Sequence, residues 1–488
     1  MFAGIKEKYN SLTVQIKAAI WFLICSFLQK GISTLTTPIF TRLLSTEEYG
    51  VYNVFNSWLG IVTIFATLNL YSGVYTQGLI KFSDEKHVFI SSLQGLCTAL
   101  VSVCTVLYLV FRDYWNNLFS LTTVQMLAML VMIWTTSVFN FWAGEQRVLY
   151  KYRNLVIVTL LVSLAKPIIG IVFVVLAEDK VTARILGLVL VEFMGYTVLY
   201  LVQMYRGKVF FSKRFWSYAL LYNLPLVPHY LSQTVLSNSD RIMIRDMVGD
   251  GEAGIYSLAY SISLIMTLFN TALLQTISPW IYQKIKDKRL QDISSVAYIS
   301  LISIAIVNLL LILCAPEIIH FFAPTSYYNA IWIIPPVAMS VYFMFSYDLF
   351  AKVAFYYEKT VIITIASLIG AVLNIILNYI FIKKFGYIAA GYTTLLCYWI
   401  YSICHLFIME YVCSRYAKTV NPYNIKVLVS ISGIFVATGF SLLFTYKHTL
   451  LRYSLILLII IVSIIFRKNI FNIIKHLISL RGNRKEKK

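Results

Sequence analysis

Residues 223–262 read NLPLVPHYLSQTVLSNSDRIMIRDMVGDGEAGIYSLAYSI, and their reading decides the fold. An apolar run is broken by Pro225 and Pro228. It carries a hydroxyl- and amide-rich face of Ser232, Gln233, Thr234, Ser237, Asn238 and Ser239. It ends in Asp240-Arg241, crosses a short Gly/Asp turn and restarts after Gly254-Ile255-Tyr256. A soluble core does not place prolines, a histidine and so many hydroxyls in one long apolar segment. A membrane tolerates such a segment where it lines a protein-enclosed, water-filled cavity. The stretch points to a transport path.

The rest of the chain agrees. Its 488 residues are 59% hydrophobic and only 13% charged, and long apolar stretches recur from Lys17 to Phe466. That composition belongs to an all-α polytopic membrane protein. The net charge of +20 does not call for a nucleic-acid partner, because Lys and Arg held on the cytoplasmic side of a bilayer give the same total. Seven cysteines lie within or at the ends of apolar segments, and none forms a CxxC pair. They read as packing residues, so neither a disulfide framework, a metal site nor a cofactor is expected. Residues 1–16 are polar and basic, and the first apolar run is long enough to remain as a span, so no cleavable signal peptide is expected.

Hydropathy predicts fourteen spans: 17–40, 50–75, 88–111, 124–142, 155–177, 185–205, 218–240, 254–281, 296–315, 330–350, 360–382, 388–411, 425–446 and 451–466. Their connections leave no room for a soluble catalytic domain. Lys and Arg concentrate in the even-to-odd turns, such as Arg147/Lys151/Arg153 and Arg206/Lys208/Lys213/Arg214. The turns at 41–49 and 321–329 are poor in both. This bias places both termini in the cytoplasm. The tail 467–488 alternates Ile and Leu with Lys and Arg, and reads as an interfacial helix or a solvated basic tail.

An internal repeat divides the chain. Glu48-Tyr49-Gly50-Val51-Tyr52 and Glu252-Ala253-Gly254-Ile255-Tyr256 align at an offset of 204 residues. The same offset pairs Gln29 with Gln233, Ser33 with Ser237, Ser57 with Ser261 and Gly187 with Gly391. It superimposes span one on seven and six on twelve. An even number of spans per unit makes these parallel repeats about an axis along the membrane normal, with substrate sites at their interface. The expected organisation is a cytoplasmic N-terminus at 1–16, a six-helix lobe at 17–206 and a basic cytoplasmic linker at 207–216. A second six-helix lobe follows at 217–411, then two extra spans at 412–466 and the basic tail at 467–488.

The segments TTPIFTRLLSTEEYGVYN (36–53), NLPLVP with SNSDRIMI and GIYSLAYS (within 223–261), and LNIILNYIFIKKFGYIAAGYTTLL (373–396) resemble bacterial polysaccharide-biosynthesis flippases. That family exports O-antigen, capsule or related repeat units, within the superfamily of multidrug/oligosaccharidyl-lipid/polysaccharide exporters. The resemblance covers nearly the whole chain. It implies two lobes around a central, often cationic cavity in a bacterial cytoplasmic membrane. It implies as cargo an undecaprenyl-diphosphate-linked oligosaccharide, and as partners a polysaccharide polymerase and a chain-length regulator.

Ionisable groups inside spans are costly and default to functional candidates. Lys30 sits mid-span one beside Gln29, Ser33 and Thr34. Lys166 precedes Pro167 in span five, and Glu192 lies inside span six. Lys166 either faces the cavity or pairs with Glu192 to staple the first lobe. Given the implied diphosphate cargo, fixed cations would offset the cost of carrying charge through low dielectric. Lys30, Gln29, Arg241, Gln233 and Lys166 are the candidate cargo contacts. Asp240 and Arg241 are alternatively an outer-end ion pair. Asp348 and Lys352, four residues apart, read as an i,i+4 pair or a gate contact. Asn374 and Asn378 either bond across helices or face sugars, and His229 reads as structural.

Two other functions compete. A cation-coupled small-molecule or drug exporter of the same superfamily would hold carboxylates in its lobes, and acids within spans are few here. A membrane glycan polymerase or ligase needs a large extracytoplasmic loop, which is lacking, and no nucleophile–base pair is visible.

Overall fold

The computed structural model describes residues 9, 13–417 and 421–465, and among them the chain is helical with no strand. The basic tail from 467 lies outside the described residues. The first helices are α1 (Val14–Leu43), α2 (Thr46–Thr67), α3 (Gly73–Lys81), α4 (Lys86–Val110), α5 (Arg112–Phe119), α6 (Thr123–Val148), α7 (Tyr152–Leu176) and α8 (Lys180–Gly207). Then come α9 (Lys213–Asn223), α10 (Val227–Met247), α11 (Asp250–Ser263), α12 (Thr267–Lys286), α13 (Ile293–Leu313) and α14 (Ala315–Phe322). The last are α15 (Ile334–Tyr356), α16 (Thr360–Phe385), α17 (Ala389–Val412), α18 (Ile425–Leu442) and α19 (Thr449–Ile465).

Local chemistry starts and stops these helices. At the head of α2, Ser45 Oγ accepts from the Glu48 amide (3.1 Å) while the Glu48 carboxylate accepts from the Ser45 amide (2.8 Å), a capping box that satisfies two otherwise unpaired donors. Thr122 and Gln125 repeat the device at α6. The second span breaks without Gly or Pro. Leu68 and Asn69 take left-handed φ values of 49° and 52°, a conformation that costs a non-glycine residue roughly 1–2 kcal/mol. Asn223, at the end of α9, donates its amide to the Leu68 carbonyl. Two breaks in two different spans are thereby pinned to each other.

Among the described residues eleven helices are long and apolar enough to cross a membrane. The other three expected spans are helical too, but fall short for visible reasons. Span two is divided between α2 and α3, span seven (α9, the tight turn Leu224–Leu226 and α10) is rich in charged, hydroxyl and amide side chains, and α19 is short. The most buried of the eleven in each half is α6, 67% buried, and α15, 78% buried. These are the fourth and tenth spans, equivalent positions in a six-span repeat.

The chain forms two compact units, Met1–Asn238 and Ser239–Lys488. The sequence places the division at 207–216, whereas the units part within α10. The reason is that α9 is tied into the first unit. Asn223 holds Leu68, Trp216 Nε1 donates to the Ser92 carbonyl (2.9 Å), and Arg214 pairs with Glu85 (3.1 Å). The first unit packs around Phe55, Leu70, Tyr75, Phe89, Leu93 and Phe141, with Tyr75 edge-on to Phe141 at 4.8 Å. In the second, α15 packs chiefly against α17 and α13. Because lipid tails are as apolar as Leu, such contacts stabilise by close fit and dispersion rather than by removal from water.

Candidate functional site

In the first unit, α6, α7 and α8 converge on one carboxylate. Lys166 Nζ lies 2.5 Å from Glu192 Oε1. Glu192 Oε2 accepts from Thr135 Oγ1 (2.9 Å) and Thr136 Oγ1 (3.2 Å). Glu192 is only 2% exposed, and the cost of that burial is offset by a counter-charge and two hydroxyl hydrogen bonds. Of the two sequence readings of Lys166, the geometry supplies the pair. Lys30 is half-buried on α1 and Gln29 beside it is exposed.

In the second unit, α10, α11, α16 and α17 surround Asp240, which is 1% exposed. Its Oδ2 accepts from Tyr256 Oη (2.6 Å) and Thr394 Oγ1 (2.9 Å), and its Oδ1 from Asn378 Nδ2 (2.6 Å). Thr393 Oγ1 donates to the Asn378 side-chain Oδ1, and Ser239 Oγ donates to Asn374 Oδ1 (3.0 Å). Among the described residues Asp240 has no basic group within ion-pair distance. Arg241 instead lays its guanidinium over the Tyr260 ring, 4.5 Å from the centroid. Asn374 and Asn378 bond across helices, one of the two roles their spacing allows.

The remaining candidates are dispersed. Gln233 is half-buried on α10, where its backbone carbonyl accepts from Ser237 Oγ (2.9 Å). Lys352 Nζ stands 3.9 Å from Asp348 Oδ1 on α15. His229 Nδ1 is buried with no hydrogen-bond partner among the described residues.

One buried acid escaped the sequence reading. Span four is expected to end at residue 142, but α6 runs to Val148 and carries Glu145 inside, 2% exposed. Gln203 Nε2 donates to Glu145 (3.0 Å), and Gln94 Nε2 donates to Gln203 (2.6 Å). Arg147, two residues on, made the segment read as a polar turn. Glu145, Glu192 and Asp240 are all buried, so the two units do hold carboxylates of the kind that cation coupling needs.

The sequence profile described as polysaccharide biosynthesis protein matches residues 16–284. The chain belongs to that family. A second profile, MatE, matches residues 225–380. A relative in Haemophilus influenzae, Lsg locus putative protein 1, is 21% identical over 379 residues, covering 74% of this chain and 89% of that protein. An uncharacterised membrane protein of Methanocaldococcus jannaschii is 26% identical over 413 residues, covering 78% of this chain and 94% of its own length. Among solved structures, the lipid II flippase MurJ in an inward closed conformation superimposes with a TM-score of 0.67 at 18% identity, over 92% of this chain and all of that one. An inward-facing multidrug resistance MATE family transporter of the MOP superfamily gives 0.61 at 13% identity, over 80% and 96%. At these identities the likeness is one of fold, and the fold is that of the MOP-superfamily transporters. The family seen in the motifs of 36–53, 223–261 and 373–396 is confirmed.

Proposed function

We propose that the chain is a flippase that moves undecaprenyl-diphosphate-linked oligosaccharide repeat units from the cytoplasmic to the outer leaflet of a bacterial cytoplasmic membrane, by alternating access, for surface polysaccharide assembly. The observation that carries this reading is the polysaccharide biosynthesis profile, which spans the first unit and the start of the second. The fold shared with a lipid II flippase supports it. In this reading both termini are cytoplasmic, as the distribution of Lys and Arg requires. The diphosphate is the costly part of the cargo, since unpaired charge is strongly disfavoured at low dielectric. We assign the escort of the diphosphate to Lys30 and Arg241, cations on spans one and seven, the corresponding helices of the two repeats, with Gln29 and Gln233 as hydrogen-bonding groups beside the route.

The test is expression in strains that lack flippases for repeat units of defined structure, with surface polysaccharide as the readout. Restored export with wild type and Lys30→Arg, and loss with Lys30→Ala at equal membrane level, is expected. Failure to restore export in every strain, despite normal membrane levels, overturns the reading.

Cation-coupled export of a small molecule is the second reading. It is favoured by the MatE match and by Asp240, a buried carboxylate held only by neutral donors. Export of a cationic dye by proteoliposomes under an imposed proton or sodium gradient would select it.

A further inference from the structure

We propose that the first unit carries a recognition site for a phosphorylated sugar, formed between the inner halves of its two broken spans. The assignment deepens the flippase reading and rests on it. After the break at Leu68, α3 continues span two toward the basic connection that follows. Directly across from it, α9 begins span seven out of the linker 207–216. Gln77, Ile80 and Lys81 of α3 and Tyr218 and Tyr222 of α9 line a cavity of about 440 Å³. That volume lies within the roughly 300–1,000 Å³ typical of small-ligand clefts.

The lining is chemically specific. The Tyr218 and Tyr222 rings lie 6.4 Å apart and are inclined by 34°, so two half-buried aromatic faces flank the same space. Lys81 Nζ stands 4.8 Å from the Tyr218 ring centroid and 5.5 Å from that of Phe82. Among the described residues Lys81 has no carboxylate within ion-pair distance, and neither the Gln77 amide nor the two phenols have a hydrogen-bond partner. A lysine, an amide and two tyrosines thus line one opening, with no protein hydrogen-bond partner among the described residues. A pyranose ring offers an apolar C–H face to an aromatic ring and hydroxyls to an amide, and a phosphate on that ring supplies the anion for the lysine. A phospholipid headgroup would use Lys81 and leave the tyrosine pair idle.

The frame is built to hold the two short helices at this spacing. Asn223 is bonded to the Leu68 carbonyl at one end, and Arg214 is paired with Glu85 at 3.1 Å at the other.

The experiment is ligand titration of the full-length protein in nanodiscs, followed by saturation-transfer NMR. The probes are glucose 1-phosphate, N-acetylglucosamine 1-phosphate, free glucose and glycerol 3-phosphate. Hexose phosphates are expected to bind and glycerol 3-phosphate to bind at least about tenfold more weakly, a difference of about 1.4 kcal/mol. Tyr222→Ala should weaken hexose phosphate about tenfold, and Tyr222→Phe should largely retain it. Lys81→Gln should abolish the preference for phosphorylated over free sugar. Thermal midpoints establish that each variant is folded. No binding by either hexose phosphate, or equal binding by glycerol 3-phosphate, overturns the site. Proteoliposomes that move a polyprenyl-diphosphate glycan separate the two ideas. Wild-type flipping with no hexose phosphate binding sinks the site alone. Hexose phosphate binding without flipping sinks the flippase reading alone.

Discussion

Glu192 in the first unit and Asp240 in the second are both buried among helices, and the two are held in opposite ways. Glu192 is matched by a lysine 2.5 Å away and two threonines. Asp240 is matched by a tyrosine, a threonine and an asparagine amide, all neutral. An ion pair in a dry setting is strong only while both members are present. A carboxylate held by neutral donors has no counter-charge to lose and depends on the hydrogen bonds it accepts. The first arrangement suits a staple across α6, α7 and α8. The second ties α10, α11, α16 and α17 together through hydrogen bonds alone.

The comparison breaks first at Lys166. Lys166→Ala strands Glu192 with two hydroxyls, and losing one member of a buried pair costs about 3–5 kcal/mol. Because the Lys166 side chain is 29% exposed, the low end of about 3 kcal/mol is expected. The double variant Lys166→Met/Glu192→Leu should recover most of it. Thermal unfolding of purified protein reads both. Equal losses in the single and double variants would show that the pair is not a staple.

Asp240 should respond more mildly. Asp240→Ala removes an acceptor from three buried donors, each worth about 1–3 kcal/mol if orphaned. Two of them have a fallback, because the Tyr256 hydroxyl lies 3.4 Å from Thr394 Oγ1 and Asn378 Nδ2 lies 3.3 Å from Asn374 Oδ1. A loss of about 2 kcal/mol is expected, and about 1 kcal/mol for Asp240→Asn. Asp240→Asn sharpens the contrast, since a folded variant that no longer exports assigns the work to charge. Unchanged export by that variant would leave Asp240 as a packing device like Glu192.

The repeat offers a finer probe through the equivalent glycines Gly187 and Gly391. A Cβ on Gly187 would lie 3.1 Å from the Gly170 Cα and 3.3 Å from the Ile169 carbonyl oxygen, both backbone atoms that cannot swing away. On Gly391 its nearest neighbours are side-chain carbons of Pro336 at 3.2 Å and Ile333 at 3.4 Å. Overpacking costs about 1–3 kcal/mol, while Gly→Ala returns about 1 kcal/mol of helix propensity. Gly187→Ala should therefore destabilise by about 1 kcal/mol, with Gly391→Ala close to neutral. The opposite order would mean that α7 and α8 are less closely packed than their counterparts in the second unit.

These contrasts also mark how far the sequence could be read. Hydropathy located the spans because it measures what a bilayer selects, and Lys166 and Glu192 stood out because charge is rare there. Asn374 and Asn378 signalled a bonded pair by their spacing. The convergence of Tyr256 and Thr394 on Asp240 was hidden, since no local pattern encodes which of four helices will meet. Glu145 was missed because hydropathy fades after Trp142 while backbone bonding carries α6 on to Val148. The break at Leu68 was invisible for a related reason. Thr67, Leu68 and Asn69 contain no helix breaker, and the turn depends on Asn223 from a distant segment.

The smallest expected effect is at Lys352. Its ammonium stands 3.9 Å from the Asp348 carboxylate, one turn earlier on α15, at the edge of ion-pair reach. Pairs of this spacing contribute only about 0.2–0.5 kcal/mol, and the partly exposed Asp348 side chain screens the attraction further. Lys352→Met keeps the length of the side chain and removes its charge, so the thermal midpoint should barely move. Export then decides between the two roles the spacing allowed. A helix-surface pair leaves export at the wild-type level. A contact that closes a gate at this end of α15 slows or speeds export at unchanged stability, because the pair then exists in one transport state and not in the other. A large loss of stability would defeat both, since a 3.9 Å pair on one helix cannot supply it, and Lys352 would have to be holding a second element in place.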